Sequence, residues 1–156
     1  MTNVKQARLL ALAIPVGLLG GAYISQYGFG LYPCEMCWWQ RYPHFAAIGI
    51  ALLAFVIKPE RVWIALAALA VITSGLIGGF HAGVEYHWWQ GITACSTAGG
   101  ALDALDLAAV PLVRCDAAPW DLFGISLAGW NFLISTIGGI AVLVLSVKGA
   151  GSEKTA

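Results

Sequence analysis

Four cysteines are the residues of this chain best suited to chemistry, and two of them lie close together in the sequence. Cys34 and Cys37 open the run Cys-Glu-Met-Cys-Trp-Trp-Gln-Arg, which ends at Arg41. A Cys-x-x-Cys pair is typical of thiol–disulfide exchange, and it is also half of a tetrahedral zinc site. Because Cys95 and Cys115 are separated by the whole segment 96–114, they do not form the close second pair that most zinc sites use. The spacing favours redox chemistry without a metal, and a zinc site or static disulfides are the alternatives.

The composition predicts the elements that must position these cysteines. Hydrophobic residues make up 60% of the 156-residue chain, charged residues make up 10%, and the mean hydropathy is +0.80. Soluble domains average about 25% charged residues. Spanning a bilayer takes roughly 20 apolar residues, and we find four charge-free stretches, the second of which is slightly short. They cover residues 9–34, 42–57, 62–84 and 122–147.

We therefore predict an all-α membrane protein, a four-transmembrane-helix bundle that forms a single domain over residues 1–156. The expected spans are 9–28, 41–57, 62–83 and 123–147, and the expected loops are 29–40 and 84–122. A cleaved signal peptide at the amino terminus is the alternative for the first span, but three further apolar stretches follow it.

The cations predict the orientation of this bundle. With four spans, the amino terminus, the short turn after residue 57 and the carboxyl tail share one side. Six of the eight cations lie on that side, namely Lys5, Arg8, Lys58, Arg61, Lys148 and Lys154. Positive charge marks the cytoplasmic side, so both termini are predicted to be cytoplasmic and both loops periplasmic. All four cysteines then lie in the compartment where disulfides persist.

This topology favours one of the three pairings that four cysteines allow. Cys34 and Cys37 share the first loop, and Cys95 and Cys115 share the second. A disulfide that closes only two intervening residues stabilises a fold very little by constraining the unfolded chain. A catalytic role therefore explains the first pair better than a structural role.

Arg41 distinguishes the two thiols of the first pair. Pro43 has no backbone N–H, so we expect the second helix to begin at or after Gln40, with Cys37 just before its amino terminus. The helix dipole and the nearby Arg41 would both lower the pKa of the Cys37 thiol. Cys37 is thus predicted to be the reactive thiolate and Cys34 its exchange partner. The alternative for Arg41 is a membrane-interface anchor.

Three segments together resemble the DsbB family of bacterial disulfide-forming quinone reductases. They are Cys-x-x-Cys-x-x-x-Arg at 34–41, His-Ala-Gly-Val-Glu at 81–85, and Arg-Cys-Asp-Ala-Ala-Pro-Trp-Asp-Leu-Phe-Gly at 114–124. With topology included, the resemblance covers roughly residues 8–147. It implies a multi-pass protein of the bacterial inner membrane.

The resemblance also implies an electron relay. A DsbA-like periplasmic thiol oxidase would attack the Cys95–Cys115 disulfide and form a mixed disulfide with Cys95. Exchange would then pass the electrons to Cys34–Cys37, and Cys37 would reduce ubiquinone or menaquinone beside Arg41. His44, which faces roughly the same way as Arg41, and His81, four residues before Glu85, are the candidate histidines for the quinone site. Either one is alternatively a structural histidine at the interface.

Other features carry less information. The glycine pairs 78–79 and 138–139 predict close helix packing, and residues 101–110 form a short amphipathic pattern, which indicates a surface helix or a linker. Nothing indicates nucleic-acid binding. The alternative functions are a paralogue with another partner, an enzyme like vitamin K epoxide reductase, and a claudin-like protein whose disulfides only brace its loops.

Overall fold

The computed structural model describes residues 3–93 and 113–153, with side chains described as far as residue 148. Within these ranges the chain forms four long helices and one small hairpin. The helices are α1 (Asn3–Gly28), α2 (Glu35–Val56), α3 (Glu60–Glu85) and α4 (Leu127–Glu153). The hairpin pairs β1 (Asp121–Leu122) with β2 (Ile125–Ser126) in antiparallel register. Cys95 and the amphipathic pattern at 101–110 lie outside the described residues.

Three of these helices, α1, α3 and α4, are long and apolar enough to cross a membrane. Helix α2, at the position of the second predicted span, has 22 residues but is not among these three helices. Its first half contains the buried polar residues Gln40, Arg41 and His44. The described chain is thus helical, as the composition predicts, and the hairpin is the one addition to the expected all-α architecture.

The second helix begins earlier than expected, at Glu35 rather than at or after Gln40. Cys34 is its N-cap residue, and the Cys34 sulfur accepts a hydrogen bond from the backbone N–H of Cys37 at 3.2 Å. This contact satisfies one of the N–H groups that a helix start leaves without a partner, and the negative charge of Glu35 in the first turn is favoured by the helix dipole. Pro43 lies inside the helix without ending it. Cys37 therefore belongs to the first turn and does not precede it.

Helix α3 lies at the centre of the bundle and packs most extensively against α2 and α4. Small residues let the backbones approach closely, because a Cβ at Gly78 would lie 2.9 Å from the carbonyl oxygen of Ala128. A Cβ at Gly139 would similarly lie 3.1 Å from the carbonyl oxygen of Ala68. The prediction that these glycines mark close helix packing is confirmed. Alanines dominate the core at the opposite end of the bundle from the cysteines.

Gly75→Ala should destabilise the contact between α3 and α4. The new Cβ would lie 2.6 Å from Thr136 Oγ1 and 3.0 Å from the Thr136 backbone nitrogen, and the backbone cannot move away without separating the helices. Overpacking of this kind costs about 1–3 kcal/mol. Reversible unfolding in mixed micelles measures the change. Gly49→Ala is the matched control, since nothing lies within 4 Å of its Cβ position, and it should stabilise the helix by about 0.5–1 kcal/mol.

The hairpin fastens the end of α3 to the start of α4. The Tyr86 hydroxyl donates to the carbonyl oxygen of Gly124 at 3.1 Å and accepts from the Ser126 backbone N–H at 2.9 Å. Gly124 has φ +74°, a left-handed conformation that glycine adopts without a steric penalty. These bonds hold the two helix ends together beside the cysteines.

Candidate functional site

Cys34 and Cys37 are free thiols whose sulfur atoms are 2.9 Å apart. The hydrogen bond with the Cys37 sulfur raises the pKa of the Cys34 thiol, and burial raises it further. Two sulfurs at this distance cannot both carry a negative charge, so the pair retains one proton while the other sulfur is free to ionise. This arrangement is consistent with Cys37 as the thiolate. The backbone N–H at the helix start, however, donates to the Cys34 sulfur and not to the Cys37 sulfur.

Cys115, from the second loop, lies close to this pair. It is disulfide-bonded and fully buried. It packs in one cluster with Cys34, Met36 and Val84, and Cys37 borders the same cluster. The structure thus brings together three of the four predicted redox cysteines, and Cys95, the fourth, is outside the described residues. Contact between the first pair and the second loop is the arrangement that exchange between them requires.

Arg41 is buried, with 6% of its surface exposed. Its guanidinium donates to Gln26 Oε1 at 2.6 Å and to the carbonyl oxygen of Ala22 at 3.3 Å. The aromatic rings of Tyr23 and Trp38 lie about 5 Å from it, at 5.1 and 5.0 Å. These contacts fix a positive charge one helical turn after Cys37, and none of them is with a carboxylate. The charge is therefore free to act on a nearby anion.

His81 lies directly against the cysteines. Its Nε2 is 3.6 Å from the Cys34 sulfur and 3.8 Å from Glu85 Oε1. The four-residue spacing of His81 and Glu85 places both side chains on one face of α3, but 3.8 Å is too long for a hydrogen bond between them. Gln40 Nε2 donates to His81 Nδ1 at 2.8 Å and so orients the ring.

His44 belongs to a buried polar network that crosses three helices. Its Nε2 contacts Asn131 Oδ1 at 3.0 Å and Ser74 Oγ at 2.9 Å. Asn131 Nδ2 in turn donates to Gln40 Oε1 at 2.9 Å. His44 Nδ1 is buried without a hydrogen-bond partner among the described residues. Because the network occupies Nε2, a ligand that reaches Nδ1 would satisfy the remaining polar atom of this ring.

Asn131→Leu should weaken the whole bundle, since Asn131 joins α2, α3 and α4. The substitution removes the donor to Gln40 Oε1 and one of two partners of His44 Nε2. Each buried polar group left unpaired costs about 1–3 kcal/mol, so the free energy of unfolding should fall by about 2 kcal/mol or more. Thr73→Val is the control, because the exposed Thr73 hydroxyl bonds only to its own helix. Equal losses in the two variants would contradict the network's importance.

A cavity of about 240 Å³ lies between the helices next to these side chains. One sulfur of the redox pair and several polar side chains around it line this cavity, among them Cys37, Gln40, Arg41, His44, His81, Glu85 and Asn131. Much of the remaining lining comes from small and apolar residues of α1, such as Gly17, Leu18 and Ala22. The four residues predicted from the sequence to hold a cofactor, Cys37, Arg41, His44 and His81, therefore share one cavity.

A separate property of the site is that Cys34, Cys37 and His81 offer three potential metal-ligand atoms within 4.8 Å of one another.

The sequence interpretation missed Gln40, Ser74 and Asn131. All three are polar residues inside otherwise apolar helices, and such residues usually face the interior of a bundle and mark functional sites. That signal was available in the sequence, whereas the pairing of these side chains across α2, α3 and α4 depends on how the helices are rotated against each other.

Comparison with known proteins agrees with the site. Residues 4–145 match the family model of the disulfide bond formation protein DsbB. The chain is 33% identical to a disulfide bond formation protein B of Verminephrobacter eiseniae, over 90% of this chain and 84% of the relative. A protein of the same name from an Acidovorax species is 31% identical, over 91% and 88% of the two chains.

A further relative carries no functional description. It is an uncharacterized protein of Rickettsia prowazekii, 25% identical over 84% of this chain and 81% of its own length. No solved structure matches the chain significantly. The family match covers nearly the whole described bundle and both cysteine-bearing segments. The chain therefore belongs to the DsbB family and is a membrane oxidoreductase of disulfide bond formation.

Proposed function

We propose that this chain reoxidises a DsbA-type thioredoxin-like protein of the periplasm and passes the electrons to a membrane quinone. The reduced partner attacks the Cys95–Cys115 disulfide, and exchange then transfers the electrons to Cys34–Cys37. Each exchange breaks one S–S bond and forms another, so the disulfide moves outward to the partner while two electrons and two protons move inward. The contact of Cys115 with the Cys34 cluster supports the second exchange.

The observation that carries this proposal is the cavity shared by Cys37, Arg41, His44 and His81. At about 240 Å³ it is slightly smaller than most drug-sized ligand sites, which measure about 300–1,000 Å³. It suits a small ring whose isoprenoid tail lies in the lipid. The residues also fit a quinone chemically. Arg41 is suited to an anionic oxygen, and the unpartnered His44 Nδ1, whose ring donates through Nε2 to Asn131, is suited to accept from the O–H of the reduced quinone. A quinone, ubiquinone or menaquinone, supplies a two-electron, two-proton acceptor.

The roles of the chain's own residues follow from their positions. Cys37 presents the reactive sulfur to the cavity, and Cys34 closes the disulfide with it. Arg41 provides a fixed positive charge that stabilises a thiolate or an anionic ligand oxygen in surroundings from which water is largely excluded. His44 is able to hold or release a proton at Nδ1, while Asn131 and Ser74 hold its ring through Nε2.

The proposed topology has four spans, with cytoplasmic termini and periplasmic cysteines in the bacterial inner membrane. The support is the chain order of four long helices and the excess of cations at one end. Alkaline phosphatase, which is active only in the periplasm, tests it. A fusion after residue 90 should be active, and a fusion after residue 58 should be inactive.

A reconstituted reaction tests the function. Purified protein is mixed with a reduced thioredoxin-like partner and a soluble quinone, and quinone absorbance is followed. We expect catalytic quinone reduction that depends on the partner. Absence of quinone reduction, together with disulfides that the partner leaves intact, would refute the enzymatic function and favour a structural role.

A further inference from the structure

The reduced Cys34–Cys37 pair lies within a set of side chains whose chemistry matches a zinc site. The Cys34 sulfur is 2.9 Å from the Cys37 sulfur and 3.6 Å from His81 Nε2. Zn–S bonds of about 2.3 Å and Zn–N bonds of about 2.0–2.1 Å in a tetrahedron place sulfur and nitrogen roughly 3.6 Å apart and two sulfurs roughly 3.8 Å apart. The sulfur–nitrogen separation already fits, and a small side-chain rotation would separate the sulfurs.

Glu85 is the nearby residue able to provide the fourth ligand that a closed tetrahedral site needs. Its oxygens lie outside the 4.8 Å cluster of Cys34, Cys37 and His81, so its side chain would have to move towards the sulfurs when zinc binds. Its Oε1 is 3.8 Å from His81 Nε2. Its Oε2 is buried and has no hydrogen-bond partner among the described residues. A buried carboxylate oxygen without a partner is costly, and coordination of a cation would remove that cost. This atom is a second, independent indication of a ligand, separate from the cluster of sulfurs and imidazole.

Gln40 orients His81 so that Nε2 faces the Cys34 sulfur. The Gln40 side chain contacts His81 at Nδ1, the nitrogen on the opposite side of the ring. Metal-bound histidines usually form such a second contact, in which Nδ1–H donates to an oxygen. In the metal-free structure Gln40 Nε2 donates to Nδ1, so the ring proton lies on Nε2. Zinc binding moves this proton to Nδ1, and a rotation of the Gln40 amide, which gives up the bond from Asn131 Nδ2, presents Oε1 to it.

We propose that the reduced form of this protein binds one Zn²⁺ through Cys34, Cys37, His81 and Glu85. Binding releases the thiol protons that the pair still holds and forms two Zn–S bonds, without any change in oxidation state. A pair held in this way cannot close its disulfide, so zinc competes with oxidation of the pair. The oxidised protein lacks both thiolates and does not bind zinc at this site. The proposal is independent of the identity of the electron acceptor and of the partner.

Zinc titration of the reduced protein in detergent tests the proposal. A phosphine reductant is used because dithiol reductants bind zinc themselves, and a chromophoric chelator reports the competition. To exclude binding by the second pair, the titration is repeated in a Cys95→Ser/Cys115→Ser background. We expect one Zn²⁺ per reduced chain in both backgrounds and none at this site after oxidation of Cys34–Cys37.

Matched variants distinguish the four-ligand site from binding by two thiols alone. His81→Ala and Glu85→Gln should each weaken zinc binding by at least about tenfold. His87→Ala and Glu35→Gln are the controls, since both residues are exposed although Glu35 directly follows Cys34. The controls should retain the affinity of the parent protein. Equal affinity in His81→Ala, Glu85→Gln and their controls would overturn the proposal.

X-ray absorption of the zinc-loaded reduced protein provides a measurement that does not depend on the folding of any variant. Two sulfur ligands and two nitrogen or oxygen ligands are expected. A shell of four sulfurs, a shell without sulfur, or a stoichiometry well below one Zn²⁺ per chain would overturn the proposal.

Discussion

Cys37→Ser should abolish steady-state quinone reduction, with a loss of at least about 10³-fold in turnover. The serine hydroxyl does not ionise at neutral pH and cannot form a disulfide with Cys34, so electrons cannot leave the first pair. Quinone absorbance with excess reduced partner measures this loss.

The same variant should still react once with the partner. Its second-loop disulfide does not include Cys37, so reduced partner should be oxidised in a single turnover that acid quenching and thiol alkylation detect. Thr73→Val, an exposed change on the same bundle, should retain full turnover. Sustained quinone reduction by Cys37→Ser would show that another sulfur transfers the electrons, and it would refute the role proposed for Cys37.

Arg41→Ala should reduce kcat/KM for the quinone by about 10²–10³-fold, the usual effect of removing a fixed group that stabilises developing negative charge. The single-turnover reaction of the partner with the second-loop disulfide should change little, because Arg41 contacts α1 and its own helix. Varying quinone at saturating partner, and then partner at saturating quinone, separates the two effects. Arg41→Lys should recover part of the loss, since it restores the charge without the planar guanidinium.

Arg8→Ala is the matched control for Arg41→Ala. Arg8 also stacks on an aromatic ring, that of Phe55 at 4.5 Å, and pairs with Glu60 at 3.1 Å, but it does not line the cavity. Its removal should lower stability and leave kcat/KM for the quinone unchanged. Similar kinetic losses in Arg8→Ala and Arg41→Ala would mean that Arg41 acts only by stabilising the bundle.

Much of the site was predictable because its chemistry lies in short segments. Cys34, Cys37 and Arg41 are seven residues apart at most, so two turns of one helix place them on the same side. The glycine pairs likewise predict close packing from local composition. The predicted start of α2 at or after Gln40 was wrong, because the Cys34 sulfur caps the helix at the Cys37 N–H and the helix continues through Pro43. A cap depends on a side-chain rotamer, which the residue pattern does not specify.

By itself, the sequence determined the helical membrane class, the thiol chemistry and the family resemblance, since each depends on hydrophobic length or on local motifs. Only the tertiary structure decided which residues surround the sulfurs. His81 reaches Cys34 across 47 positions, and Asn131 reaches Gln40 across 91. Such contacts depend on the rotation and depth of each helix against its neighbours, which many small packing interactions determine together. The shared cavity and the unpartnered Glu85 oxygen are consequences of that packing.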